Sequence, residues 1–188
     1  MENDPIADLE KIRKEHGRLI QGLEKMVLNF SAVHNIRFWY ACLSNFPVSE
    51  NIYEDLMQMD AYTMSIIISY GRLFGEGDGA TKLDKNIVPE NLREVHQDIL
   101  DLRHSRYAHH GKHDTIQISL DLQPIDSSIL VTPRMIFGTY LGAPPQWAPL
   151  FEWLDGYMYH ALHKRLEMLT LKTGLEWKIE SGPEPRWG

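Results

Sequence analysis

Apolar positions along this chain recur mostly at steps of three and four residues, the period of a helix with one buried face. From residue 5 to about 45, Leu9, Ile12, Leu19, Leu23, Met26 and Phe30 make such a stripe. Asp4 and Pro5 suit its start. Gly17, Gly22 and the stretch Ser31 to Asn35 leave open whether this is one long helix or two. Phe46-Pro47 ends it, and Ser49 opens a second helix to about Phe74, with Ile52, Leu56, Met64, Ile67 and Ile68 facing inward. A third is expected from Pro89 to about His110, with Leu92, Val95, Ile99 and Leu102 as its stripe and Gly111 as its stop.

The period then changes. Ile116, Ile118, Leu120 and Leu122 alternate with Thr115, Gln117, Ser119 and Asp121, which predicts a half-buried strand. Pro124 to Ser128 reads as a turn, and Ile129 to Phe137 can pair back. Pro133 would place that second strand on an edge or interrupt it. The last helix runs from about Trp147 to Leu171, with Trp147, Leu150, Leu154, Met158, Ala161, Leu162, Leu166 and Leu169 facing in. The fold expected is mainly α: a bundle of four to five long helices, with a small β-hairpin (about 115–137) inserted before the last one. One domain spans 1–174, and a loose tail, 175–188, carries Pro183 and Pro185.

Composition narrows the class. A chain of 188 residues suits one domain. The net charge of −7 argues against coating a phosphate backbone, because long-range repulsion opposes it. The single cysteine, Cys42, allows no internal disulfide, fits a reducing compartment and reads as a small buried hydrophobe. The N-terminus lacks a basic start followed by an apolar stretch, and no apolar run approaches the ~20 residues of a membrane span. A cytoplasmic protein with no membrane contact is expected.

Chemistry concentrates at the end of the third helix. Continuing the stripe from Leu102 lands on Arg106 and then His109, with Arg103 and His110 flanking the same edge. Residues 101 to 114 also hold His104, Lys112 and His113, against Asp101 and Asp114. Arginine holds phosphate with two parallel hydrogen bonds, and histidine moves protons near neutral pH. Together they can cleave RNA. The same cations also suit the carbonyls and the dipole at a helix C-terminus, which is a purely structural role. The histidines offer no paired glutamate or cysteine, and no metal or other cofactor is expected. His160 and His163 on the last helix read as surface or packing residues, and Trp39, Trp147 and Trp153 as core. The loop Gly75-Glu76-Gly77-Asp78-Gly79 has no strand before it and no Lys-Ser/Thr after it, so it is not read as a phosphate loop.

The run from Ile87 to His110, with Leu-Arg-His-Ser-Arg-Tyr-Ala-His-His at its end, resembles the core helix of the HEPN superfamily (higher eukaryotes and prokaryotes nucleotide-binding domain). That family's motif is an arginine, a polar residue, then a histidine after four to six intervening positions. Arg103, His104 and His109 match it, and His110 satisfies the spacing as well. Ser65 to Phe74 resembles the helix that pairs with it, so the likeness covers roughly residues 50 to 112. The resemblance implies a HEPN-like helical bundle, a homodimer with facing motifs, and metal-independent cleavage of single-stranded RNA. Arg103 and His109 would be catalytic, with Asp101, His104, Arg106 and His110 supporting or binding. It also implies a toxin–antitoxin or defence setting, with an antitoxin or nucleotidyltransferase as partner. Other members are catalytically silent binding modules, for a nucleotide, an anion or a protein.

Overall fold

The computed structural model describes residues 5–75, 80–107 and 116–180. Among them are four α-helices and one hairpin: α1 Pro5–Ser44, α2 Ile52–Phe74, α3 Arg93–Leu102, β1 Ile116–Ile125, β2 Ser128–Phe137 and α4 Ala148–Thr173. The mainly helical class and the hairpin before the last helix agree with the sequence pattern.

The first stretch, Pro5–Ser44, is two helical segments joined across a kink at His16 (φ −116°, ψ 17°), and the break does not fall at Ser31 to Asn35. Gly17 follows directly, a residue whose backbone freedom weakens a helix and lets it bend. α1 is the spine of the bundle, packing against both α2 and α4. Val33, Ile36 and Leu43 are its fully buried positions. Leu9, counted in the expected stripe, is exposed. Arg37 ties α1 to α4 through Asp155 at 2.5 Å, and the Tyr40 hydroxyl donates to the Pro144 carbonyl at 3.1 Å. Cys42 is only half-buried.

α2 starts at Ile52, three residues after Ser49, the residue expected to open it. Asn51 takes that place, its side chain accepting from the Glu54 N–H at 3.4 Å, while Ser49 donates its N–H and hydroxyl to the buried Asp55. The buried face of α2 is Met59, Thr63, Ile66, Ile67, Tyr70, Leu73 and Phe74, rotated from the expected stripe so that Ile52 and Met64 face water. α4 follows its sequence pattern closely: Leu150, Leu154, Met158, Leu162, Leu166 and Leu169 are all buried. Gly174 closes it at φ 71°, in the left-handed region that suits glycine, donating to the Thr170 carbonyl at 2.9 Å. Just beyond it, the chain is tied to α4 at Trp177. Trp177 donates its N–H to Thr170 Oγ1 at 3.0 Å and its indole N–H to Thr173 Oγ1 at 2.9 Å, which folds this segment back on α4.

The hairpin corrects a second expectation. Its strands pair antiparallel from Ile116↔Phe137 to Ile125↔Ser128, and Pro133, opposite Leu120, does not interrupt the ladder. However, the strand is not half-buried. Ile118 is 69% exposed and Leu120 60%, because nothing packs on the sheet's apolar side. The alternation of side chains is real, but the cover is absent among the described residues.

Candidate functional site

The site begins with how α3 lies on α2. Leu92, His96 and Ile99 are the buried positions at this end of the chain, while Val95 and Leu102 are half-buried. Leu92 and Ile99 are buried as the pattern expects, but His96 takes the place expected of Val95. Tyr70 and His96 Nδ1 share a hydrogen bond of 2.6 Å, and the Phe74 ring packs edge-on against the imidazole at 4.6 Å. His96 is 4% exposed, and its Nε2 has no hydrogen-bond partner. Burial, with Lys85 adding its positive charge, pulls the His96 pKa below the usual imidazole value. The ring is thus held neutral. Burial likewise pushes the Tyr70 phenol far above its ordinary range, so it stays a hydroxyl.

Arg103 lies seven residues after His96 and so faces α2 on nearly the same line. Its side chain runs along α2 across Gly71. A Cβ at Gly71 would stand 2.0 Å from Arg103 Cδ and 2.6 Å from Nε. Only glycine leaves this channel open. The guanidinium continues toward Gly75, with Nη2 3.9 Å from where a Cβ there would be. It therefore sits near the C-terminal end of α2, where the helix dipole favours a cation. Arg103 is half-buried, its Nε has no hydrogen-bond partner, and none of the ion pairs among the described residues involves it.

At Arg103 the helix also changes type. Arg103–Tyr107 forms a π-helical turn, an over-wide turn that re-aims the side chains after it and is often found at functional sites. Arg106 does not join Arg103. It is 8% exposed, and its Nη2 pairs with Asp60 Oδ1 at 2.5 Å. The Tyr107 hydroxyl donates to the same oxygen at 2.9 Å, and the Thr139 hydroxyl at 3.3 Å. The Arg106 guanidinium also lies over the Tyr107 ring at 4.9 Å. Burial first, and the Asp60 carboxylate second, push the Tyr107 phenol far up. Asp60 and Gly75 are about 22 Å apart along the α2 axis, from ~1.5 Å per residue. The two arginines are three residues apart in sequence, yet their heads point to opposite ends of α2.

The remaining expected site residues divide as follows. His104 is exposed, and so is Asp101, which accepts from the Gln97 amide at 2.8 Å. His109 and His110 lie outside the described residues, as do Lys112 and His113. Among the described residues no three His, Cys, Asp or Glu side chains gather into a metal-binding group. No helix among them is long and apolar enough to cross a membrane. His160 and His163 are exposed, and Trp147 is core, as their spacing suggests.

Sequence reasoning missed Asp60, Tyr70, Gly71 and Thr139. Only His96 carried a usable signal, its seven-residue spacing to Arg103. A comparison with protein-family models, with the curated proteins and with the solved structures finds no match for this chain.

Proposed function

We propose that this chain is a metal-independent endoribonuclease of the HEPN type, in which Arg103 holds the scissile phosphate and His109 moves the proton. The observation that supports it is Arg103 itself. A half-buried arginine, guided by a glycine channel and without a carboxylate partner among the described residues, is a charge left available for an anion. In such a reaction the 2′-oxygen attacks phosphorus and the bond to the 5′-oxygen breaks. A histidine takes the 2′-hydroxyl proton or supplies one to the leaving oxygen, and the arginine offsets the charge that builds on phosphorus. The products are a 2′,3′-cyclic phosphate and a 5′-hydroxyl. Arg106 has another task in this reading. Locked to Asp60, it anchors the end of the motif helix. A toxin or defence role, with an antitoxin or nucleotidyltransferase partner, rests on the same family resemblance.

The test is cleavage of single-stranded RNA by the purified full chain in excess chelator, with the ends identified. Activity with cyclic-phosphate ends, lost by at least about 100-fold in Arg103→Ala and in His109→Ala, is expected, the scale of removing one charge-stabilising or acid–base group. Undiminished cutting by either variant sinks the reading. The second reading, a silent binding module, is favoured by the divergence of the Arg103 and Arg106 heads along α2. It would show Arg103-dependent binding of RNA or nucleotide with no cleavage.

A further inference from the structure

The buried histidine of α3 has a donor to spare. The Tyr70 hydroxyl has one hydrogen to give, and His96 Nδ1, at 2.6 Å, is the acceptor it meets. A neutral imidazole that accepts at Nδ1 carries its own proton on Nε2. That N–H belongs to a side chain only 4% exposed, and it has no acceptor among the described residues. Buried donors left in this way are uncommon, because burial takes away the water that would otherwise satisfy them.

A cavity of about 480 Å³ adjoins this ring, lined by Phe74, Lys82, Leu83, Asp84, Lys85 and Leu100. Phe74 belongs to both, since it lines the cavity and packs on the imidazole at 4.6 Å. Leu100 stands one turn after His96 on α3. Lys85 lines the cavity, and its charge acts on His96. The segment that carries the two lysines is fixed in place. The Leu83 N–H donates to the Leu73 carbonyl at 2.8 Å, and the buried Asn29 amide donates to the Thr81 carbonyl at 2.6 Å. Cations prevail around the cavity. Lys82 and Lys85 stand against one carboxylate, Asp84, and an Asp84 oxygen is engaged by the Asn86 N–H at 2.9 Å. The Arg103 head, near Gly75, adds a third cation beside Phe74. The C-terminal end of α2 opposes an anion, but the Leu73 carbonyl there is already bonded and Arg103 offsets the rest.

We infer that this cavity binds a phosphate monoester, with Lys85 as its counter-charge and the His96 Nε2–H donating to a phosphate oxygen. Apart from Asp84, the polar side chains at the cavity are donors, so the ligand has to be an acceptor, and the cations select an anion. Phosphate brings several acceptor oxygens and takes lysine as a point charge. Phe74, Leu83 and Leu100 give the cavity an apolar side, with room beside the phosphate for a planar or apolar ester group. Two sources share this chemistry, a free small monoester and the 5′ end of an RNA chain. Neither His109 nor strand cleavage enters the inference, so it stands or fails apart from the ribonuclease reading.

The probe is phenyl phosphate, added to the full chain at constant pH and ionic strength while the His96 Nε2–H is followed by ¹⁵N NMR. That resonance, identified by its loss in His96→Phe, should move and saturate. Lys85→Glu changes an exposed residue and should leave the fold intact. It should weaken binding at least about tenfold, the scale of one charge-assisted hydrogen bond. His96→Phe should weaken it similarly by calorimetry. Inorganic phosphate, which lacks the ring, should bind less tightly than phenyl phosphate. A 5′-phosphorylated RNA oligonucleotide that moves the resonance at lower concentration than phenyl phosphate assigns the site to an RNA end, and one that does not assigns it to a free monoester. A resonance that millimolar phenyl phosphate leaves unmoved overturns the inference, as does binding unchanged by Lys85→Glu. So does an equal response to phenol, which carries no phosphate.

Discussion

Gly71 and Arg103 define the smallest unit of the site, and their relation gives a prediction whose sign can be checked. In an ordinary helix, Gly→Ala stabilises by about 0.8–1 kcal/mol. Here the added methyl would meet Arg103 Cδ at 2.0 Å, so the arginine must leave its channel. Gly71→Ala should therefore destabilise the chain, by about 1–3 kcal/mol as for other overpacked sites. In an Arg103→Ala background the clash is gone, and the same substitution should become stabilising. Urea unfolding of the four proteins measures this; equal effects of Gly71→Ala in both backgrounds would show that the channel is not real. None of this was legible in the sequence. A glycine within an apolar helix reads as a weak spot, and only the crossing side chain shows what it is for. Asp60 was hidden for a similar reason. One acid on a helix looks like surface until Arg106, Tyr107 and Thr139, from 46 to 79 residues away, converge on one of its oxygens.

At the scale of elements, α3 is held to α2 by a buried pair whose protonation matters. The folded chain lowers the His96 pKa beneath its ordinary 6.5, chiefly by burial. Between that lowered value and about 6.5, the unfolded chain binds a proton that the folded chain does not, so stability falls as pH falls through this window. Above 6.5 the neutral ring costs nothing, and below the folded pKa the loss is complete. His96→Gln removes this titration. The stability advantage of the natural chain over His96→Gln should thus be greatest near pH 7.5 and shrink toward pH 5; a constant difference would count against a neutral buried ring. Element positions were largely readable, because α4 repeats leucine or methionine at nearly every inward step. In α3 the pattern placed Ile99 correctly but took Val95 for the buried position in place of His96, since a histidine counts as polar in any hydrophobic pattern even when a tyrosine satisfies it. α3 also ends in a π-turn, which no periodicity announces. The predicted clustering of Arg103 with Arg106 assumed regular helix through both.

For the whole molecule, the informative contrast is between the bundle and the hairpin. Alternation along 116–137 says that the two faces differ, but not that one of them is covered, so burial was expected where exposure is found. The helices pack mainly on one another, with α1 between α2 and α4, and the hairpin pairs mainly with itself. It joins the bundle through its stems, where Tyr107 before β1 and Thr139 after β2 both bond to Asp60. The core should then be nearly indifferent to the ribbon. Replacing residues 116–137 with a short Gly-Ser linker keeps Tyr107, Thr139 and the Arg106–Asp60 pair. The melting temperature of the excised chain should stay within about 4 °C of the full chain, which corresponds to a change of ~1 kcal/mol or less for a domain of this size. A large loss of melting temperature on excision would mean that the ribbon is part of the core after all.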